Sequence, residues 1–493
     1  MIKLKALVDL LKEREAYGDI NIDINKLEYD SRKVEKSDLF FAISGFEQDG
    51  HIFINSAIEK GASACVLEKN GNYPLKAKII VKNSREAMAH MSASYFGNPS
   101  TKMKVIGVTG TNGKTTVTHM LRSIWEKDDK KTGLIGTVAH YIIKRKISAL
   151  NTTPESLDLQ KMFSEMVSEN VSCVAIEVSS HALVLDRVKM VDFDAAVFTN
   201  LNPEHLDFHK NMESYKEAKG ILFQNLKKEA YSVINIDDPE WKYFYQITRG
   251  KNVTYSFDNQ KADFHLKKYS PGASGYKLEI STPGGCMNLE LKLSGEVNIY
   301  NALASTAAAF VTGTGLEKIK EGLDNFKGVK GRLEQVDLGQ DFKVIIDYAH
   351  TPFAFENLLR TAKEIAKGRI IFLFGCGGDR DKSKRPIMGR IADQFADLVL
   401  LTTDNPRSED PKKIIQQILA GVVDKSRVKV ILDRKEAIVY ALRKAEKDDI
   451  VVLAGKGHED YQLIGKEKFY FCEREIIEKE LKSSGFVYDR TKI

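Results

Sequence analysis

The residues best suited to chemistry lie in KVIGVTGTNGKTTVTHMLRSIW, which begins at Lys104. Gly110, Thr111, Asn112, Gly113, Lys114, Thr115 and Thr116 form a glycine-bearing loop between an apolar run and a helical one. Glycines at such a turn let backbone N–H groups approach phosphate oxygens, and the start of a helix adds partial positive charge. Lys114 is spaced to reach β- and γ-phosphates, and the Thr115 hydroxyl to ligate Mg²⁺. The loop departs from G-x-x-x-x-G-K-[ST] at one position: Val108 stands where the first glycine belongs, and Gly107 lies one earlier. Loops of this kind serve switches, motors and ligases, so ATP binding alone gives no reaction. The nearest match to the guanine-reading NKxD is Asn25-Lys26-Leu27-Glu28, which ends in the wrong acid and precedes the loop, arguing against a GTPase.

Four further clusters carry functional groups. Glu177 closes the run VSCVAIEV, where an acid can hold Mg²⁺ beside the phosphates. Position alone fits an exposed strand-end carboxylate equally well. Ser179, Ser180 and His181 follow it, but a nucleophile and its base come from separate elements, so sequence neighbours make a poor Ser–His pair. His205 and His209 could share a helix face as zinc ligands, yet H-E-x-x-H is absent and no third ligand is evident. Lys219, in SYKEAKGILF, reads from spacing alone as a solvated helix lysine.

The elements that must position these groups are visible as short apolar runs. They are KVIGVTG (104–110), VSCVAIEV (171–178), DAAVFTN (194–200), KVIIDY (343–348), RIIFLFG (369–375), LVLLTT (398–403) and IVVLAG (450–455). Runs of this kind predict buried parallel strands, with functional residues just beyond their carboxyl ends. The intervening stretches are helical in period, as in PFAFENLLRTAKEIAKG (352–368). The fold class is therefore α/β with mostly parallel sheets. Glycine, proline and lysine punctuation divides the chain into 1–98, 99–330 and 331–493. Residues 251–294 alternate and carry PGG turns, predicting a small antiparallel excursion in the middle segment, and the N-terminal MIKLKALVDLLKEREAYGD predicts an amphipathic helix.

Composition limits the class. The 493 residues are 43% hydrophobic, 29% charged and 9% aromatic, ordinary for a globular protein of about three domains. Lys plus Arg exceeds Asp plus Glu by 74 to 68, a net +6 without the concentrated basic stretch of a nucleic-acid binder. Five cysteines (Cys65, Cys173, Cys286, Cys376 and Cys472) show no CxxC spacing, which fits a reducing compartment rather than a disulfide framework. No apolar run approaches the ~20 residues that span a bilayer. The expectation is a soluble, cytoplasmic protein, a monomer, whose partners are small anions.

Taken together, GTNGKTT, NTTPES (151–156), EVSSHAL (177–183), NLNPEHLDFH (200–209), YKEAK (215–219), NIYNALA (298–304), GRLEQV (331–336) and DYAHTP (347–352) resemble the Mur ligases in order and spacing. The resemblance runs from DSRKV (30–34) through GKGHEDYQ (455–462). It implies a substrate-nucleotide domain, a central P-loop ATPase and a Rossmann-like C-terminal domain. It also implies ATP-dependent amide formation on the D-Glu γ-carboxylate of UDP-MurNAc-L-Ala-D-Glu through an acyl phosphate, with two Mg²⁺ ions. By the same resemblance Glu177 bridges the two ions, His205 binds the second, and Lys219 is carbamylated by CO₂ to support it. Glu204 stands where relatives often carry Asp. Ser31 and the loop Phe46-Glu47-Gln48 match uridine-side contacts. Asn151, Thr152, Thr153, Ser179 and Arg187 match muramoyl-dipeptide contacts, whereas Leu185 replaces a polar contact of some relatives. Asn301, Arg332 and Asp347 match nucleotide contacts, although read alone Asn301 fits a helix-surface amide and Asp347 a strand-end cap.

Among the family members that extend the stem at D-Glu, which this chain resembles, two choices of amino acid dominate, meso-diaminopimelate and L-lysine, and they differ by one distal carboxylate. A guanidinium can hold that carboxylate through two parallel hydrogen bonds. Asp404-Asn405-Pro406-Arg407 resembles the signature of the diaminopimelate-adding members, and Arg380, Gly455 and Glu459 match further positions of that pocket. Taken singly, Arg407 reads as a surface loop arginine. The expected reaction is addition of meso-diaminopimelate. L-lysine addition, a folylpolyglutamate synthetase-like ligase and a catalytically inactive nucleotide-binding protein are the alternatives.

Overall fold

The computed structural model describes residues 1–45, 48–272 and 275–483. Phe46 and Glu47 lie outside these described residues. Three large sheets order the described residues, beside two small two-stranded ones, and all seven apolar runs are strands within two of the large sheets.

The first sheet has five strands, in the order Glu15–Gly18, Ala77–Ile80, Ala64–Leu67, Leu39–Phe41 and Leu27–Glu28. All its pairs are parallel except the one made by Glu15–Gly18. That edge strand corrects the expected N-terminal helix, which is confined to Leu4–Val8. Leu4, Leu7, Val8 and Leu11 are buried as expected. The polar run that follows them instead pairs its backbone with Ala77–Ile80.

The second sheet has eleven strands. Its centre is Lys104–Thr109, flanked by Cys173–Glu177 and Ala195–Phe198 in parallel. The carboxyl ends of these three strands carry the phosphate loop, Glu177 and Thr199-Asn200 to one edge, where open α/β sheets bind ligands. The antiparallel excursion expected within 251–294 is present in Phe264–Pro271, Tyr276–Thr282 and Gly285–Leu291, and it extends the same sheet. Lys251–Ser256 and Phe264–Pro271 pair in parallel and continue the sheet, and only Phe264–Leu291 forms an antiparallel meander. Alternation there marks strands with one solvated face, which the strand pattern alone does not assign to a sheet.

The third sheet orders Glu334–Gln335, Lys343–Asp347, Ile450–Ala454, Ile370–Phe374, Leu398–Leu401 and Val428–Val430, all parallel after the first. Helices Pro352–Ile365 and Arg434–Lys444 are among those that cover its faces, and Phe355, Leu359, Ala437 and Ile438 are buried against it. No described helix is long and apolar enough to cross a membrane.

Candidate active site

Two glycines shape the phosphate loop. Gly110 sits at φ 145°, and a Cβ there would lie 1.9 Å from Thr199 Oγ1. Gly113 caps helix Lys114–Lys127 at φ 88°, where a Cβ would lie 2.7 Å from Asn301 Oδ1. Both need a residue free of the left-handed penalty and of side-chain bulk. The loop is tied to the neighbouring strand end: Asn112 N donates to Asn200 Oδ1 at 2.9 Å, and Thr199 Oγ1 donates to Asn112 O at 2.6 Å. Lys114 Nζ donates to Gly110 O and Thr111 O, both at 2.8 Å, holding the ammonium over the loop.

Glu177 is fully buried, not the exposed strand-end acid that position alone allows. Its Oε2 accepts from Thr115 Oγ1 and Thr137 Oγ1 at 2.9 Å each, and its Oε1 accepts from Thr137 N at 2.8 Å. Thr137 Oγ1 lies 3.0 Å from Thr152 Oγ1. Thr153 Oγ1 donates to Glu177 O at 2.8 Å and lies 3.4 Å from Ser179 Oγ. Arg187 Nη1 donates to Thr153 O at 3.0 Å and pairs with Glu155 at 2.9 Å. Thr152, Thr153, Ser179 and Arg187 thus adjoin the acid, while Asn151 stands in an exposed loop.

Lys219 overturns its solvated reading. It is 1% exposed, on helix Met212–Gln224, and its ammonium has no ion pair among the described residues. It lies over the Tyr215 ring at 4.3 Å. Burial first, then the charge of Lys114, push this ammonium well below its ordinary value, with Glu204 opposing. The buried positions Tyr215, Ala218, Lys219 and Leu222 recur with helical period, and that stripe is the signal spacing alone left unused.

His205 and His209 do not share a helix face. His205 caps Leu206–His209 in the left-handed region at φ 56°, while His209 Nε2 lies 2.9 Å from Ser180 Oγ. Burial lowers the His205 imidazole to about 4; Glu204 opposes this, and Lys114, Lys219 and His350 add to it. The ring is therefore neutral at pH 7, the form that ligates metals. Burial raises the Glu204 carboxyl, but His350, His205 and Lys114 together bring it below its ordinary value.

A cavity of about 210 Å³ collects Lys114, Thr115, Glu177, His205, Lys219 and Arg332, together with Thr152 and Ser179. Its oxygen ligands are the hydroxyls of Thr115 and Thr137 and the carboxylates of Glu177 and Glu204, beside the imidazoles of His205 and His350, and an oxygen-rich set of this kind suits Mg²⁺. An adjoining cavity of about 440 Å³ is lined by Asn112, Gly113, Thr116, Asn301, Arg332 and Asp347, among others. Asn301 is 7% exposed on helix Glu296–Val311, so it is no surface amide. Asp347 does cap backbone, accepting from Leu333 N and Ala349 N at 2.7 Å each, and still lines the cavity. Arg332 comes from the chain entering the third sheet, yet its Nη2 reaches Thr115 Oγ1 at 3.4 Å and its guanidinium lies 4.7 Å from the Tyr348 ring centre. Ser31 is buried at the start of the short helix Ser31–Lys33, and Gln48 O accepts from Gly45 N at 3.1 Å.

Carboxyl ends of the third sheet assemble a second group. Arg407 is held at φ 50° between Leu463 O and Gly465 N, and its Nη1 donates to Gly378 O at 2.6 Å. Asn405 Nδ2 donates to Glu459 Oε2 at 2.9 Å, and Asp404 Oδ1 accepts from Asn405 N at 2.6 Å. Gly455 packs on Asp404, where a Cβ would meet Oδ2 at 2.5 Å. A Cβ on Gly378 would lie 1.8 Å from Pro406 O, so the Gly377-Gly378 turn lies against the Asp404–Arg407 loop. Arg380, exposed beyond that turn, has no ion pair among the described residues. Arg385 is fully buried and pairs with Glu409 at 2.9 Å while donating to Gly377 O at 3.0 Å, which fixes the turn. Sequence reasoning missed Thr137, Thr199, His350, Arg385 and Lys456; only His350 and Lys456 stand inside recognisable motifs, DYAHTP and GKGHE.

A phosphate loop on a central parallel sheet, joined to a second α/β sheet that lends it an arginine, defines an α/β nucleotide-binding protein of the phosphate-loop class. The chain belongs to the Mur ligase family: residues 23–96 match the Mur ligase catalytic domain, 108–309 the Mur ligase middle domain and 331–457 the Mur ligase glutamate ligase domain. It is 45% identical over 484 residues to UDP-N-acetylmuramoyl-L-alanyl-D-glutamate–2,6-diaminopimelate ligase 1 of Clostridium acetobutylicum, covering 98% of this chain and 99% of the relative. It is 47% identical over 482 residues to the corresponding ligase of Caldanaerobacter subterraneus, covering 97% and 99%. A solved structure of a UDP-N-acetylmuramoyl-L-alanyl-D-glutamate–2,6-diaminopimelate ligase superposes with a TM-score of 0.68 at 30% identity, covering 94% of this chain and 95% of that one.

Proposed function

We propose that the protein joins meso-2,6-diaminopimelate to the D-Glu γ-carboxylate of UDP-MurNAc-L-Ala-D-Glu at the expense of ATP, in peptidoglycan precursor synthesis in the cytoplasm. The observation that carries this is the single cavity in which the phosphate loop, Glu177, His205 and Lys219, without an ion pair among the described residues, meet. Its three sheets are read as three domains, 1–98 for the UDP end, 99–330 for ATP and 331–493 for the amino acid.

A carboxylate resists amine attack until it is activated. The γ-phosphoryl group passes from ATP to the carboxylate oxygen, leaving ADP and an acyl phosphate. The amine then attacks the acyl carbon, the tetrahedral adduct expels phosphate, and the amine proton leaves to solvent. Positioning and charge neutralisation carry most of such a reaction. Lys114 exchanges its bonds to Gly110 O and Thr111 O for phosphate oxygens. Arg332, whose Nη2 reaches Thr115 Oγ1, meets the same phosphates. Thr115, Glu177, His205 and Lys219 as its carbamate are the groups that would hold Mg²⁺, which when bound supplies positive charge against the phosphates. Thr152, Thr153, Ser179 and Arg187 orient the dipeptide, and Ser31 and Gln48 stand at the uridine end. Arg380 and Arg407 hold the distal carboxylate of the amino acid, and Glu459 accepts from its distal ammonium.

The test is ADP release on mixing enzyme, ATP, Mg²⁺ and UDP-MurNAc-L-Ala-D-Glu with either meso-diaminopimelate or L-lysine. Release with meso-diaminopimelate and little with L-lysine is expected. Release with neither refutes the ligase reading, and equal release refutes the assignment of the amino acid.

A further inference from the structure

Lys456 is 0% exposed, a full burial rare for a lysine. Its Nζ donates to Glu459 Oε2 at 3.0 Å and to Asn405 Oδ1 at 3.1 Å. Asn405 Oδ1 also accepts from Leu463 N at 2.9 Å, and Asn405 Nδ2 donates to Glu459 Oε2 at 2.9 Å. These bonds fix which end of the amide faces which partner, because its oxygen meets two donors and its nitrogen an acceptor. They also divide the two oxygens of Glu459. Oε2 takes Lys456 and Asn405, whereas Oε1 carries no hydrogen bond among the described residues.

We infer that Lys456 is a positioning residue that sets the charge preference of the amino-acid pocket. This rests on the reading of that pocket given above. Lys456 and Glu459 together sum to zero charge, yet Glu459 still offers one open acceptor oxygen. A distal end that is itself a zwitterion, an ammonium beside a carboxylate, adds no net charge to such a site, and Arg380 and Arg407 meet its carboxylate. A distal end that is only an ammonium brings a positive charge next to Arg380 and Arg407 that Glu459, already neutralised by Lys456, no longer balances. Like-charge juxtaposition of this kind is how a site rejects the wrong partner. Lys456 thus discriminates against L-lysine by cancelling the charge that would attract it, and favours meso-diaminopimelate by orienting Glu459 and Asn405.

The test is steady-state kinetics of Lys456→Met with each amino acid. The KM for meso-diaminopimelate should rise about tenfold with a smaller change in kcat, and the KM values for ATP and UDP-MurNAc-L-Ala-D-Glu should stay within about twofold. The ratio of kcat/KM for meso-diaminopimelate over L-lysine should fall about tenfold, which is ~1.4 kcal/mol of discrimination. In a Glu459→Gln background the same substitution should change that ratio less than twofold, since the charge to be cancelled is gone. An unchanged ratio, an additive effect in the Glu459→Gln background, or an equal rise in all three KM values overturns the role. If Lys456→Met is recovered unfolded, Lys456→Gln, which keeps one donor and loses the charge, is read by the same criteria. A wild-type enzyme that uses neither amino acid defeats the functional reading itself. A wild type that prefers meso-diaminopimelate, with variants that keep its preference, defeats only Lys456.

Discussion

Replacing Lys219 by alanine tests the catalytic cavity most directly. A lysine with its ordinary value of 10.5 is neutral in about one molecule in a thousand at pH 7.5, and each further fall of one unit raises that fraction tenfold. Burial and Lys114 push Lys219 well down that scale, so its free amine is available to CO₂. In the proposed carbamylation the amine nitrogen bonds to the carbon of CO₂ and a proton leaves to water, giving a carbamate. That step would reverse the local charge: a cation with no ion pair among the described residues would become an anion in the cavity shared with Lys114 and His205. Losing one fixed charge aimed at a reacting group costs about 10²–10³ in rate, ~3–4 kcal/mol. Lys219→Ala should therefore lose at least about a hundredfold in kcat, with the KM for ATP changed far less. Acetate or propionate, entering the vacated space, should restore about tenfold. Wild-type enzyme equilibrated with ¹³C-bicarbonate should give one carbamate carbon resonance that the variant lacks. Wild-type activity in Lys219→Ala, or the same labelled resonance in both proteins, refutes the reasoning.

Further predictions concern the loop, the amino-acid pocket and its support. Gly110→Ala drives a Cβ against Thr199 Oγ1 at a φ only glycine tolerates, so ATP affinity measured by calorimetry should fall at least tenfold while the other sheets keep their melting behaviour. Retained affinity would show that the loop can relax. Arg407→Ala should reduce the preference for meso-diaminopimelate over L-lysine by roughly 10²-fold, the consequence of losing the partner of a carboxylate, and an unchanged preference in competition assays removes Arg407 from that role. Glu409 is held down to about 2, chiefly by its hydrogen bonds to Arg385, against burial that raises it. Its folded value is depressed, so its contribution is full above 4.5 and is lost as pH falls through about 2. Glu409→Gln should be less stable than wild type by about 2–3 kcal/mol at pH 6 in denaturant titrations, and the gap should shrink by about half by pH 3. A gap independent of pH would assign the loss to packing.

Much of this was legible in the sequence because parallel strands buried on both faces write themselves as apolar runs, and their carboxyl ends mark the ligand edge. Gly110 and Lys114 announce themselves through a local pattern, since one turn of chain makes the whole phosphate cradle. Glu177 and Lys219 do not, because their properties depend on burial by distant segments: Thr137 supplies two of the three bonds to Glu177, and Lys114 supplies part of the charge that depresses Lys219. The N-terminal segment misled for the opposite reason. Its apolar spacing is helical through Leu11, but the pairing of Glu15–Gly18 with Ala77–Ile80 is a non-local hydrogen-bond ladder that overrides local period. Arg385 and Lys456 were silent because a buried charge reads like an exposed one until its partners, Glu409 for one and Glu459 with Asn405 for the other, are placed.

Arg332 stands in the wall shared by the two cavities, although it belongs to the segment that leads into the third sheet. The phosphate cradle therefore lacks one of its cations whenever that segment is displaced. Such an arrangement works as a logical conjunction. In the reaction proposed above, Arg332 meets the phosphates only while the segment that carries it lies against the phosphate loop, as it does where its Nη2 reaches Thr115 Oγ1. ATPase activity measured without the amine, compared between wild type and Arg332→Ala, reports on that conjunction.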